Sequence, residues 1–342
     1  MKNTPCRPRF LFLFLSTGFL ALCVGGCTAS KNMDQEHVWP APPDSARIRY
    51  LETLADGSVM PRSFFASLFE TLSGVGYADV HLGKPLNVAA DDWGRVYVTD
   101  LELRRVVIFD FVEKRMRFLG DAAPGQLYSP MGITVHDTLV FVTDNHLGQV
   151  IVFNSLGRSL RTIGSKQDLT NPVAIVYHPD SKRVYVADSK SHEIIVYSFD
   201  GQLLFRFGAK RDWIGGLYFP TALWIYDEKL YVVDSMGFRV AVYDLEGNFL
   251  SAFGEPGSAP GFFARPKGIA VSGDGKIFVT DAAFNNFQVF DQQGQVYMFV
   301  GTAGLAPGEF QIPSGLFIDK QNRVLVVDQI NRRIQIFRYL GE

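Results

Sequence analysis

One pattern occurs six times in this chain and limits the folds open to it: a short run of β-branched and aromatic residues that ends in aspartate. The runs are Val96-Tyr97-Val98-Thr99-Asp100, Val140-Phe141-Val142-Thr143-Asp144, Val184-Tyr185-Val186-Ala187-Asp188, Leu230-Tyr231-Val232-Val233-Asp234, Ile277-Phe278-Val279-Thr280-Asp281 and Val324-Leu325-Val326-Val327-Asp328. Successive aspartates lie 44, 44, 46, 47 and 47 residues apart. Other positions keep the same phase. An aromatic stands nine residues after each Asp (Phe109, Phe153, Tyr197, Tyr243, Phe290, Phe337), and a proline about fifteen before it (Pro85, Pro130, Pro172, Pro220, Pro266, Pro313). Strand-forming runs and turn signals such as Asp274-Gly275 fill each interval, with no competing helical period.

A repeat of this length with four strands predicts a propeller blade, whose sheet cannot bury both faces alone and stacks on its neighbours around an axis. Six units, over about 83–120, 128–164, 169–208, 216–254, 262–301 and 310–342, predict an all-β, six-bladed β-propeller. The sixth unit runs out at Glu342 after three strands. Arg47 to Leu54 alternates at strand period, so residues 46–55 are expected to supply the missing outer strand and close the ring. Propeller and closing strand together span 46–342. Before the first blade, Phe64, Phe65, Leu68, Phe69 and Leu72 share one face of a short amphipathic helix expected over 62–73. That face docks either on the propeller or on a partner or membrane. Phe64, Phe65, Leu68 and Phe69, with Trp213 and Phe262 from the loops before two of the prolines, are therefore candidate partner-binding residues.

Pro266-Lys267-Gly268-Ile269-Ala270-Val271, Gly275-Lys276-Ile277-Phe278-Val279-Thr280-Asp281, Gln288-Val289-Phe290-Asp291, Gly247-Asn248-Phe249-Leu250 and Arg332-Arg333-Ile334-Gln335-Ile336-Phe337 closely resemble the NHL repeat. The resemblance covers roughly residues 83–342. It implies a central channel lined by each blade's innermost strand, and a top face built by the loops before each Pro and after each Asp. It does not choose a function, since members include enzymes, RNA binders and protein-interaction modules. In the amidating lyases with this repeat, histidines just after the blade proline hold zinc. Here those candidate channel-mouth positions are Leu86, Met131, Val173, Thr221, Lys267 and Ser314. None is an imidazole or a carboxylate, so no metal and no cofactor is expected there.

No catalytic residue is assigned. An Asp required by all six blades is expected to cap a turn by accepting backbone N–H groups. His136 and His178, at the far ends of inner strands of two successive blades, have two readings, a shared metal ion or solvated turn residues, and the second is the expectation. Glu102, Glu193 and Glu309 fall in the expected top loops without forming a cluster that spacing can establish. Neither a nucleophile elbow, a P-loop nor a dinucleotide fingerprint occurs.

The N-terminus reads as an address. Lys2, Arg7 and Arg9 precede an apolar run from Phe10 to Val24, and Val24-Gly25-Gly26-Cys27 resembles a bacterial lipobox. The expectation is a signal peptide over 1–26 cut between Gly26 and Cys27, diacylglycerol and acyl modification of Cys27, and a polar, Pro-containing tether over 27–45. Two or three acyl chains hold a protein stably on a membrane. Thr28, where Asp would retain a lipoprotein, directs it toward the outer membrane by the sorting rule the lipobox resemblance brings. Losing residues 1–26 removes three cations and takes the formal charge from -2 to -5, which excludes a broadly basic nucleic-acid binder. The three cysteines all lie within the first 27 residues, leaving the repeats without a disulfide or thiolate nucleophile. The expected function is a cell-envelope lipoprotein, anchored through its lipid, that works as a non-catalytic scaffold for a ligand or an envelope protein partner and not for nucleic acid. The alternative is a metal-dependent propeller enzyme of lyase or lactonase type with its site at the channel mouth.

Overall fold

Branched and aromatic side chains suit a pleated surface, and each run that ends in Asp forms a strand. The computed structural model describes residues 37–57, 81–119, 127–209 and 214–341. Among them the chain builds six antiparallel sheets, five of four strands and one of five, which are the blades of a six-bladed β-propeller. The innermost strands begin at the six prolines: Pro85–Ala90, Pro130–His136, Pro172–His178, Pro220–Tyr226, Pro266–Val271 and Pro313–Ile318. A proline can open a strand because it need not donate to the ladder there.

Burial explains why the runs look continuously apolar instead of alternating. The second and third strands of each blade are covered on both faces; Val96 to Asp100 and Val106 to Asp110 are entirely buried. Outer strands such as Leu203–Phe207 are half exposed. The apolar residues form six cores, each shared by two adjacent blades. One joins Val98 and Phe109 of the first blade to Val327 and Ile336 of the sixth, and another joins Phe278 and Phe287 of the fifth to Val326 and Phe337 of the sixth. The six aromatics in phase with the aspartates are all within these cores, none more than 1% exposed.

Polar contacts near the axis bind each blade to the next. Thr99 Oγ1 donates to Met131 O at 2.9 Å, Asn145 Nδ2 to Asn171 Oδ1 at 2.6 Å, Ser189 Oγ to Pro220 O, Thr221 Oγ1 to Lys267 O at 3.2 Å, Thr280 Oγ1 to Ser314 O at 2.6 Å, and Ser314 Oγ to Leu86 O at 2.9 Å. All six interfaces are bridged, including the one between the last blade and the first. Backbones approach closely here, and Gly268 is required for it: a Cβ would collide with Ser314 O and lie 2.9 Å from Leu316 N.

The strand Ile48–Leu54 pairs antiparallel with Arg333–Tyr339 and supplies the outer strand of the sixth blade, so both ends of the chain close the ring. A bulge at Leu51 separates the pairs Tyr50–Phe337 and Glu52–Ile336. Strict alternation would put Ile48 and Leu54 on one face. The extra residue turns them to opposite faces, so Ile48 enters the core shared with the fifth blade and Leu54 the core shared with the first.

Two expectations change. The tether was expected to run to residue 45, yet Val38–Trp39 adds a fifth strand to the sixth blade by pairing with Arg49 and Ile48. The reason is Trp39, whose ring lies edge-on to Phe337 at 5.8 Å and fills the space above Gly308, where a Cβ would strike it. His178, expected in solvent, is buried at 8% exposure. Ser235–Gly237 forms a short helical turn after Asp234. The signal, Gly26, Cys27, the helix expected over 62–73 with Phe64, Phe65, Leu68 and Phe69, and Trp213 lie outside the described residues.

Candidate functional site

The inner strands enclose a cavity of about 630 Å³ on the propeller axis, lined by residues of all six blades. That volume falls within the range of small-molecule sites. Leu86, Met131, Val173, Thr221, Lys267 and Ser314, which stand far apart in sequence, all line this one cavity. Their common position one residue after the blade proline brings them together at one end.

Chemically this ring is lopsided. Leu86, Met131 and Val173 are apolar, and the hydroxyls of Thr221 and Ser314 are committed to Lys267 O and Leu86 O. Lys267 is the ring's only ionisable side chain, and its ammonium has no ion pair or hydrogen bond among the described residues. Burial lowers its pKa, and the Arg265 guanidinium beside it acts in the same direction. Further along the bore, Trp224 and Phe317 meet edge to face at 5.5 Å, although they come from the fourth and sixth blades. The fifth blade permits this by offering only Ala270 at the same step, fully buried. Thr134 and Val176 continue the wall. Sequence reasoning missed the aromatic pair, because neither residue belongs to the repeated pattern.

At the other end the cavity reaches Asp91, Trp93, His136, Asp137, His178, Asp319 and Lys320. Asp91 and Asp319 are structural: each holds the arginine four residues on, at 2.6 Å for Arg95 and 2.7 Å for Arg323. His136 lies 3.4 Å from Asp137 and edge-on to Tyr177.

None of the six repeated aspartates lines the cavity. Each is fully buried and accepts N–H groups from the loop before its proline. Asp100 holds Gly83 N and Lys84 N at 2.8 and 3.0 Å, and also Glu102 N and Leu103 N of the loop that follows it. The loops on the top face are pinned in this way, as the turn-cap reading requires. Phe262 sits in the loop between the fourth and fifth blades, where its ring covers Gly257 and its carbonyl accepts from Gln288 Nε2 at 2.8 Å. It does not reach the cavity. The three loop glutamates remain apart: Glu102 lies 3.8 Å from Arg332, Glu193 lies 3.5 Å from Arg206, and Glu309 caps Leu305 N and Ala306 N.

A protein-family model described as a 6-bladed beta-propeller matches residues 269–339. Comparison with the curated proteins gave no match. Among solved structures, virginiamycin B lyase from Staphylococcus aureus superposes with a TM-score of 0.55 at 14% identity, covering 75% of this chain and 94% of that one. Two proteins of Bacteroides thetaiotaomicron are also similar. A structural-genomics protein of unknown function gives 0.63 at 16% identity over 77% of this chain and 71% of its own. An auxiliary nutrient binding protein gives 0.60 at 14% identity over 76% and 70%. At these identities the likeness is one of fold.

Proposed function

We propose that this protein is a cell-envelope lipoprotein, held on the outer membrane by acyl chains on Cys27, whose propeller is a non-catalytic binding module with its ligand site in the axial channel. The observation that supports this most is the convergence of the six channel-mouth residues on a cavity of about 630 Å³ with one cation, Lys267, that has no partner among the described residues, in an otherwise apolar and hydroxyl ring. A channel with Val176, Trp224 and Phe317 on its wall and a single half-buried ammonium at its mouth suits an amphipathic monoanion. Its charge would offset the desolvation of Lys267, and its apolar part would lie against Val176, Trp224 and Phe317. A propeller described as nutrient-binding provides a precedent for such a use of the fold. Tyr128, Tyr218 and Met236, exposed by 45%, 46% and 64% on the loops of the top face, offer the contact area for an envelope protein partner.

The experiment uses 1-anilinonaphthalene-8-sulfonate, an apolar monoanion whose fluorescence rises in dry sites, with the full-length protein. One saturable site per chain is expected. Lys267→Met, which removes the cation, and Val176→Trp, which fills the bore, should each weaken it at least about tenfold. Unchanged binding in both folded variants would overturn the channel reading. Cys27→Ser separately tests the anchor: it is expected to abolish incorporation of labelled palmitate into the protein and to leave residues 1–26 uncut.

A further inference from the structure

We propose that His178, Asp180 and Glu228 form a site for one divalent first-row metal ion such as Zn²⁺, at the end of the channel opposite Lys267. One ligand atom from each of the three lies within 4.8 Å of the others. They come from two neighbouring blades. His178 ends the inner strand of the third, Asp180 stands in the turn that follows, and Glu228 stands in the turn after the inner strand of the fourth.

Three observations support coordination over a simple ion pair. His178 Nε2 and Glu228 Oε1 are 3.5 Å apart. That is long for an N–H···O bond, which sits near 2.7–3.2 Å. It matches the edge of a tetrahedron with metal bonds of about 2.0–2.2 Å, roughly 3.3–3.6 Å. The other ring nitrogen, Nδ1, is engaged by Ser181 Oγ at 2.8 Å. When Nδ1 donates to that hydroxyl, the lone pair of Nε2 points at the two carboxylates, the outer-shell arrangement that orients a metal-bound imidazole. His178 is itself more than nine-tenths buried, so its ring is held in place. Lastly, neither carboxylate has a Lys or Arg partner among the described residues, which leaves two negative charges for a dication to neutralise.

One imidazole and two carboxylates make a mixed nitrogen and oxygen set that suits Zn²⁺ or Mn²⁺ better than soft ions. Three protein ligands leave coordination positions open. His178 and Pro179 line the axial cavity while Asp180 and Glu228 are exposed, so the site stands at the rim of the channel and its remaining positions are open to water. This site does not depend on the binding of an anion at Lys267.

The test is equilibrium dialysis of the full-length, chelator-treated protein against Zn²⁺ with elemental analysis, together with thermal melting. One tightly bound Zn²⁺ per chain and a raised Tm are expected for the native sequence. The pair Asp180→Asn with Glu228→Gln keeps the shape of both side chains, and in folded protein should weaken binding more than 100-fold. Ser181→Ala, which frees the imidazole to reorient, should weaken it roughly tenfold. Failure of the native protein to bind Zn²⁺ at 1:1 in the micromolar range, leaving His178 and Glu228 as an ion pair only, overturns the proposal. So does binding that survives the double substitution, because the ion would then sit elsewhere.

Discussion

Replacing Asp281 by alanine tests the turn-cap reading most directly. Asp281 is fully buried. It accepts Ala264 N at 2.8 Å, Arg265 N at 3.0 Å, Ala283 N at 2.9 Å and Phe284 N at 3.3 Å, joining the loop before the blade proline to the loop after the strand. Alanine leaves four N–H groups without their acceptor. Hydrogen bonds to a charged group contribute about 1.5–3 kcal/mol each, but these four share one carboxylate whose burial already costs energy, so they do not add. A net loss of about 3–5 kcal/mol is expected, a large share of the roughly 5–15 kcal/mol of a typical domain. Asparagine keeps one oxygen. Its amide must then face either Ala264 N and Arg265 N or Ala283 N and Phe284 N, donor against donor, and the loss should be about 2–3 kcal/mol. Urea unfolding measures both, with the slope required to stay constant between variants. An Asp281→Ala variant within about 1 kcal/mol of the native protein would refute the capping argument.

Ring closure depends on backbone contact, so Gly268→Val should cost at least about 3 kcal/mol by overpacking, while Gly273→Val, where a Cβ meets nothing within 4 Å, should be near neutral; comparable Tm values would sink the close-approach argument. Truncation after residue 46 should lower Tm by removing Trp39 from Phe337, whereas truncation after residue 55 should abolish cooperative unfolding by exposing the edge of Arg333–Tyr339; calorimetry separates the two. Lys267 titrates below its ordinary value in the folded chain, so its charge opposes folding at neutral pH and the opposition is relieved as pH rises through that lowered pKa. Lys267→Met should therefore be more stable than the native protein at pH 7, with the gain shrinking toward pH 10; a gain that does not vary with pH would contradict this.

Much of the site was legible because it repeats. Six prolines set the start of each inner strand, and the positions after them, which the NHL resemblance singled out as the channel mouth, are Leu86, Met131, Val173, Thr221, Lys267 and Ser314; all six line one cavity. What does not repeat was not legible. Trp224 and Phe317 meet across a blade because Ala270 between them is small. Glu228 reaches His178 because two hairpin turns of adjacent blades lie side by side.

The phased Asp, Pro and aromatic residues decide the blade, the number of blades and the need for an N-terminal strand to complete the last one, since each of these follows from local strand and turn chemistry repeated at a fixed interval. The tertiary structure decides the rest. A bulge at Leu51 sends Ile48 and Leu54 into different cores, and Trp39 converts the end of an expected tether into a fifth strand. Both outcomes depend on what the neighbouring blade presents, which no local pattern encodes. The same holds for the channel: alternation says which residues point inward, but only the packing of six inner strands sets its bore and leaves Lys267 on its wall without a partner among the described residues.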